Sequence, residues 1–185
     1  NINIGTFIPK PHTPFQWAPL MDPDKAGMHL LAIKRALTAQ VKNVKVSFQD
    51  PYISFIEGVL SRGDERVGDI IELAFSRGAR LDAWDEYFRK DVWESVFADC
   101  DWDVKEEICR TRTLEEPLPS DGIQMASSKA YLRREFIRAE RGERSAVCEP
   151  DCSHNCGVCK PQNREDRQSG QFPVAPVEAV PYDAS

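Results

Sequence analysis

Cys148, Cys152, Cys156 and Cys159 fall within twelve residues in the pattern Cys-x3-Cys-x3-Cys-x2-Cys. Thiolates crowded into one loop close around iron or zinc with little chain between them, and Gly157 supplies the permissive backbone that a tight wrap needs. A run this compact suits an iron–sulfur cluster better than a zinc ribbon, whose two Cys-x2-Cys knuckles are usually separated by a longer hairpin or helix. Zinc stands as the alternative, and free thiols or adventitious disulfides as a third reading. His154 lies inside the same loop, where imidazole is also a ligand for zinc and iron, although an exposed loop histidine is the simpler reading. Cys100 and Cys109 sit in an aromatic-rich helical stretch, as inert buried cysteines commonly do, and are assigned no role.

Other chemistry is sparser. Lys129, Arg133, Arg134, Arg138 and Arg141, with Tyr131 beside them, form a basic helix face suited to phosphate or an RNA strand, but Glu135 and Glu140 interrupt it and favour a solvated surface. Arg62, Asp64, Glu65, Arg66 and Asp69 cluster around Gly63 and Gly68, a pattern better read as a capped helix–helix connection than as a substrate site. No Gly-rich phosphate loop, His-Glu-x-x-His pair or Gly-x-Ser-x-Gly elbow occurs. Hydrolase and nucleoside-triphosphatase readings therefore have no starting point, and an enzyme built on this sequence would rely on a cofactor for its hard chemistry.

At 185 residues, 41% hydrophobic and 29% charged, the chain has the composition of a globular protein, and no apolar run approaches the roughly 20 residues of a membrane span. A net charge of −6 argues against a protein held to nucleic acid by a general basic field. The opening residues lack the basic start and apolar stretch of a signal peptide and read as a strand entered mid-protein. With clustered thiols and no secretory signature, the expected compartment is the reducing cytoplasm.

The elements that must position these groups follow from periodicity and caps. Ile2, Ile4, Phe7 and Ile8 predict a strand over 2–8, which Pro9, Pro11 and Pro14 turn into a stiff, extended loop. Asp22 or Asp24, with Pro23, opens a helix to about Gln40, on which Met28, Leu31, Ala32, Arg35 and Ala36 recur at helical spacing. The alternation at 44–48 predicts a strand, after which Asp50-Pro51 opens a helix through Leu60. A third helix carries Val67, Ile70, Ile71, Ala74 and Phe75 and closes at Gly78. An aromatic stripe of Trp84, Tyr87, Phe88, Val92, Trp93, Val96 and Phe97 reads as core. A short helix over 103–110 follows, and another runs from Ser127 or Ser128 to Gly142. After Cys159 the composition turns to polar residues, glycine and proline, which predicts a mobile tail over 161–185.

The segment Thr6-Phe7-Ile8-Pro9-Lys10-Pro11-His12-Thr13-Pro14-Phe15-Gln16-Trp17-Ala18-Pro19 resembles the last barrel strand and exit loop of radical S-adenosylmethionine proteins that also carry a cobalamin-binding domain. The likeness continues through Ser54-Phe55-Ile56-Glu57-Gly58-Val59-Leu60-Ser61-Arg62-Gly63-Asp64, Gly78-Ala79-Arg80-Leu81-Asp82-Ala83-Trp84-Asp85-Glu86 and the Cys-Gly-Val-Cys end, covering roughly residues 1–160. The resemblance implies a partial (β/α) barrel whose strand ends hold a four-iron four-sulfur (4Fe-4S) cluster and S-adenosylmethionine, which is cleaved to a 5′-deoxyadenosyl radical. Cobalamin is a further candidate cofactor of the full-length protein. The sequence departs from the family in lacking the Cys-x3-Cys-x2-Cys motif of the catalytic cluster, so the chain alone is not expected to cleave S-adenosylmethionine.

The expected fold is therefore α/β. Residues 1–49 close a radical S-adenosylmethionine barrel, 50–145 form a helical extension, 146–160 are the four-cysteine metal loop and 161–185 the tail. In such barrels ligands sit at the C-terminal strand ends, so Pro9, Lys10, Pro11, His12 and Thr13 are the candidate contacts to cofactor or substrate, the alternative being a rigid connector that packs Phe15 and Trp17. The expected function is radical-based modification, by methyl transfer or sulfur insertion, with Cys148, Cys152, Cys156 and Cys159 holding an auxiliary iron–sulfur cluster. The expected partners are the N-terminal half of the same full-length chain, an electron donor and an RNA or protein substrate. The alternative is a non-catalytic, zinc-stabilised module that docks a protein or RNA.

Overall fold

The computed structural model describes residues 1–145 and 156–158; the expected tail and all of the four-cysteine loop except Cys156, Gly157 and Val158 lie outside them. The chain divides into two compact units, Asn1–Gln124 and Met125–Ser185. Among the described residues no helix is long and apolar enough to cross a membrane.

The first unit begins with a strand–helix–strand turn of chain. β1 (Ile2–Ile4) and β2 (Val46–Phe48) lie parallel, with Ile2 opposite Val46 and Ile4 opposite Phe48. α1 (Pro23–Gln40) is the crossover between them, the connection that parallel strands require. α1 starts where Asp22 accepts hydrogen bonds from the amides of Asp24 and Lys25, and Pro23 fills a first-turn position that needs no amide. β1 is shorter than the alternation over 2–8 predicts. Its partner β2 ends at Phe48 because Asp50 already caps α2 (Pro51–Arg62) by accepting from the Tyr52 amide, so β1 has no ladder partner past Ile4.

The core lies behind this unit, where α2 packs with α3 (Arg66–Ser76), α4 (Lys90–Ala98) and α5 (Val104–Cys109). Phe55, Ile56 and Val59 of α2 meet Val67, Ile70 and Ala74 of α3, Val92, Trp93 and Val96 of α4, and Val104 and Ile108 of α5. Residues 1–49 and 50–124 thus belong to one compact unit, since α1 lies on α2 and α2 on α5.

Three sequence expectations about faces need correction. On α1 the buried positions are Pro23, Ala26 and Leu30, whereas Met28 is 64% and Leu31 46% exposed, because α2 and β2 cover only one edge of the helix. On α3, Val67, Ile70 and Ala74 are buried but Ile71 and Phe75 face outward. Trp84 and Tyr87 are exposed and precede α4, which starts only at Lys90; the aromatic cluster is built from Tyr52, Phe55, Phe88, Trp93 and Phe97.

Gly63 ends α2 where there is no room for a side chain. A Cβ there would stand 2.1 Å from Val67 Cγ2 and 2.8 Å from the Val59 carbonyl oxygen. Gly63→Ala is expected to lower the unfolding free energy by about 1–3 kcal/mol, measured as a reduced urea midpoint at unchanged slope. An unchanged midpoint would contradict this packing.

In the second unit α6 (Lys129–Glu140) is capped by the Ser128 hydroxyl, which accepts from the Tyr131 amide, and buries Leu132 and Glu135. Its C-terminus closes through Gly142 at φ +68°.

Candidate functional site

The proline loop after β1 is folded by its own polar groups. The Thr13 hydroxyl donates to the Lys10 carbonyl at 2.8 Å, and the His12 amide donates to Gln16 Oε1 at 3.0 Å. The loop ends in a 3-10 turn, Pro14–Trp17, in which Gln16 and Trp17 are buried. Pro9 is buried as well, and Lys10 forms an ion pair with Glu57 on α2. Of the two aromatic residues that the rigid-connector alternative packs on the barrel edge, Trp17 is fully buried, while Phe15 is 43% exposed and meets Phe7 edge-on at 5.7 Å.

His12 is the anomalous residue of the loop. Its backbone adopts φ +56°, a left-handed conformation that costs a non-glycine residue about 1–2 kcal/mol. Its ring Nε2 is buried without a hydrogen-bond partner, which leaves one buried polar atom for a ligand to satisfy. His12 thus combines a left-handed backbone with a buried ring nitrogen that has no hydrogen-bond partner among the described residues.

Against this loop lies a cleft of about 240 Å³ lined by Pro9, Pro11, Gln16, Leu60, Ser61, Arg62, Gly63, Arg112, Leu118, Pro119, Ser120 and Ile123. Sequence reading took Arg62 for part of a charged connection and gave Arg112 no place. In the fold both are buried, at 3% and 6% exposure. Arg62 donates to four main-chain carbonyls: Nε to Ile108 at 2.9 Å, Nη1 to Ala18 at 2.7 Å and Gln16 at 3.4 Å, and Nη2 to Arg110 at 3.0 Å. Burial, and then the neighbouring Arg112 charge, push its pKa down to about 10, so it remains a cation at neutral pH. Arg112 donates from Nη2 to the Arg62 carbonyl at 2.6 Å, and its amide donates to the Trp17 carbonyl at 3.0 Å. The neighbouring Asp64 and Arg66 behave as the capped connection the sequence suggests, with Asp64 accepting from both the Arg66 amide and its guanidinium. The sequence signal for Arg62 is charge next to Gly63, and Arg112 stands between two threonines with no signal of its own, so neither pattern distinguishes a surface charge from a buried tie.

Of the four metal-loop cysteines, Cys148, Cys152 and Cys159 lie outside the described residues, as does His154. Cys156 Sγ accepts a hydrogen bond from the Val158 amide at 3.4 Å, and the Cys156 carbonyl accepts from the Ser128 amide at 3.2 Å. Gly157 sits at φ +91°, and a Cβ on it would meet the Ala126 carbonyl oxygen at 2.3 Å. An amide aimed at sulfur stabilises a thiolate, and a left-handed glycine lets the chain turn sharply from one cysteine to the next, so this segment fits a metal-ligating thiolate. Among the described residues alone, no group of three or more His, Cys, Asp or Glu side chains could hold a metal ion.

Cys109 and Cys100 are half-buried against the core. Burial pushes the Cys109 thiol up to about 11 and raises that of Cys100, where Asp101 and Asp99 add to the effect. Thiols kept protonated in this way are poor nucleophiles and poor ligands. On α6, Arg138 is engaged by Glu135 at 3.0 Å and Glu143 at 3.5 Å, and Arg134 stacks over Tyr131 at 5.6 Å. Part of the basic face is thus neutralised internally.

No protein-family model, curated protein or solved structure matches this chain.

Proposed function

We propose that the chain is the closing part of a radical S-adenosylmethionine enzyme, carrying an auxiliary iron–sulfur site on Cys148, Cys152, Cys156 and Cys159 and acting in methyl transfer or sulfur insertion. The observation that carries this reading is the parallel β1–α1–β2 unit with a proline-stiffened loop leaving β1. Parallel strands occur almost only in sheets covered on both faces. Here Ile2 and Phe7 are exposed beside β1, and Met28, Leu31 and Ile33 are exposed on α1. Further parallel strands and helices from an N-terminal half of the same protein would cover these faces. Because β1 and β2 run the same way, the loop at 9–13 and the start of α2 emerge at one edge, where barrels of this class bind their ligands. The Lys10–Glu57 pair ties the loop to the middle of α2.

In this reading Pro9, Lys10, Pro11, His12 and Thr13 line the ligand edge, with His12 Nε2 free to engage a cofactor or substrate polar group. S-adenosylmethionine bound to a 4Fe-4S cluster would supply the radical chemistry. The Cys-x3-Cys-x2-Cys ligands of that cluster are absent from this chain, so no reaction step is assigned to its residues. The auxiliary cluster, with cobalamin where present, an external electron donor and an RNA or protein substrate, completes the proposal, and the cytoplasm, where thiols stay reduced, is its compartment.

A second reading has one observation in its favour. The Cys156 carbonyl accepts from the amide of Ser128, the residue that caps α6. The metal loop therefore props the start of a basic helix, as a zinc-stabilised docking module for protein or RNA would. Translation of the reading frame upstream of the Asn1 codon separates the two proposals. A continuous frame encoding Cys-x3-Cys-x2-Cys is the expected result; a stop codon directly upstream, or a frame without that motif, would overturn the radical-enzyme assignment.

A further inference from the structure

The cleft beside the proline loop is walled by two guanidiniums, Arg62 and Arg112, and among the described residues no carboxylate lines it. The hydrogen-bond partners of Arg62 are main-chain oxygens, and Arg112 has two long ion pairs. Arg62 directs its donors to main-chain carbonyls, which carry only partial charge. Arg112 has Glu107 at 3.6 Å and Glu116 at 4.0 Å, distances too long for hydrogen bonds, and its Nε is buried with no hydrogen-bond partner. A buried cation with an unmade hydrogen bond is expensive, and an oxyanion is the partner that relieves it best. The rest of the wall is largely apolar: Leu118 is buried in it, and Leu60 and Ile123 are its exposed apolar members.

We infer that this cleft is a binding site for a small molecule bearing one carboxylate or phosphate on an apolar body. The oxyanion sits on the Arg112 side and the apolar part lies against Leu60, Leu118 and Ile123. At about 240 Å³ the cleft is below the usual size for drug-like ligands and admits a compact one. The inference does not rest on the radical-enzyme reading, because it uses only the two arginines and the wall around them.

Leu60 and Ile123 are 54% and 63% exposed, so both tolerate substitution without unfolding the chain. The test titrates the full chain with benzoate, phenyl phosphate, inorganic phosphate and the uncharged isostere benzamide, following the arginine Nε–H signals by NMR. Benzoate or phenyl phosphate is expected to bind at least about tenfold more tightly than benzamide and to shift the Arg112 Nε–H signal. The stronger of the two anions identifies the preferred headgroup, and weaker binding of inorganic phosphate confirms the part played by the apolar wall. Leu60→Glu is expected to weaken binding and Leu60→Lys to tighten it, each by several-fold and less at high salt. Ile123→Trp should abolish it by filling the opening. Equal affinity for benzoate, phenyl phosphate and benzamide, or identical binding by the Leu60→Glu and Leu60→Lys proteins, would overturn the assignment, and inorganic phosphate binding as tightly as phenyl phosphate would overturn the apolar half of it.

Discussion

Replacing Arg62 by methionine is expected to lower the stability of the unit formed by residues 1–124 by about 3–5 kcal/mol, because several buried carbonyls lose their donor together. Methionine keeps much of the aliphatic stem and removes the guanidinium, so the loss reports hydrogen bonds rather than volume. Four carbonyls lose a donor at once, those of Gln16, Ala18, Ile108 and Arg110. Each buried carbonyl left unsatisfied costs about 1–3 kcal/mol, reduced where water can enter. The same side chain joins the turn after the proline loop to the end of α5, so the loop should loosen with it. Urea unfolding followed by tryptophan fluorescence measures the first effect, since Trp17 and Trp93 are both buried. Faster amide exchange over 12–18 measures the second. A loss below about 1 kcal/mol would show that the carbonyls find other partners, and Arg62 would then not be the tie described here.

The second large effect is expected at the cysteine loop. Anaerobic incubation of the full chain with iron and sulfide should produce a broad visible absorption band with stoichiometric iron, and Cys156→Ser or Cys159→Ser should abolish it, because a closed four-thiolate site does not tolerate loss of a ligand. Gly157→Ala is the more discriminating variant. It keeps every thiol but places a methyl group 2.3 Å from the Ala126 carbonyl oxygen at a φ of +91°. Metal affinity should fall by about 10–100-fold, as for other changes that disturb the support of a ligand. Stoichiometric zinc without iron uptake would transfer the loop to the docking-module reading. Metal content unchanged in all three variants would reject a metal site on these cysteines under either reading.

The two experiments also probe different levels of the fold. Arg62 acts between segments 44–48 positions apart in the chain, whereas the Cys156–Val158 bond closes within two residues. That difference explains what a reader of the sequence can recover. Four helix starts were legible because their determinants are local: Asp22, Asp50, Asp103 and Ser128 each accept an amide hydrogen two or three residues ahead. The strand–helix–strand order at 2–48 was legible for the same reason, since alternation and proline act on their own neighbourhood. The cysteine run is legible in the same way, as residue type and spacing, and the metal site proposed on it is what the reconstitution tests.

Only the tertiary structure decided which faces those elements bury. The α1 stripe at Met28 and Leu31 points away from the core because α2 and β2 cover the edge at Ala26 and Leu30 instead. β1 stops at Ile4 because its partner runs out. The left-handed backbone of His12, its unpartnered ring nitrogen and the Gln16 side chain that accepts from its amide are features of the folded loop. Arg62 and Arg112 look like surface charges in a list of residues; burial converts one into a four-carbonyl tie and leaves the other with a hydrogen bond to give. Periodicity and capping are short-range and can be read along the chain. The partners of a buried charge come from distant segments, and their identity is a property of the packed molecule.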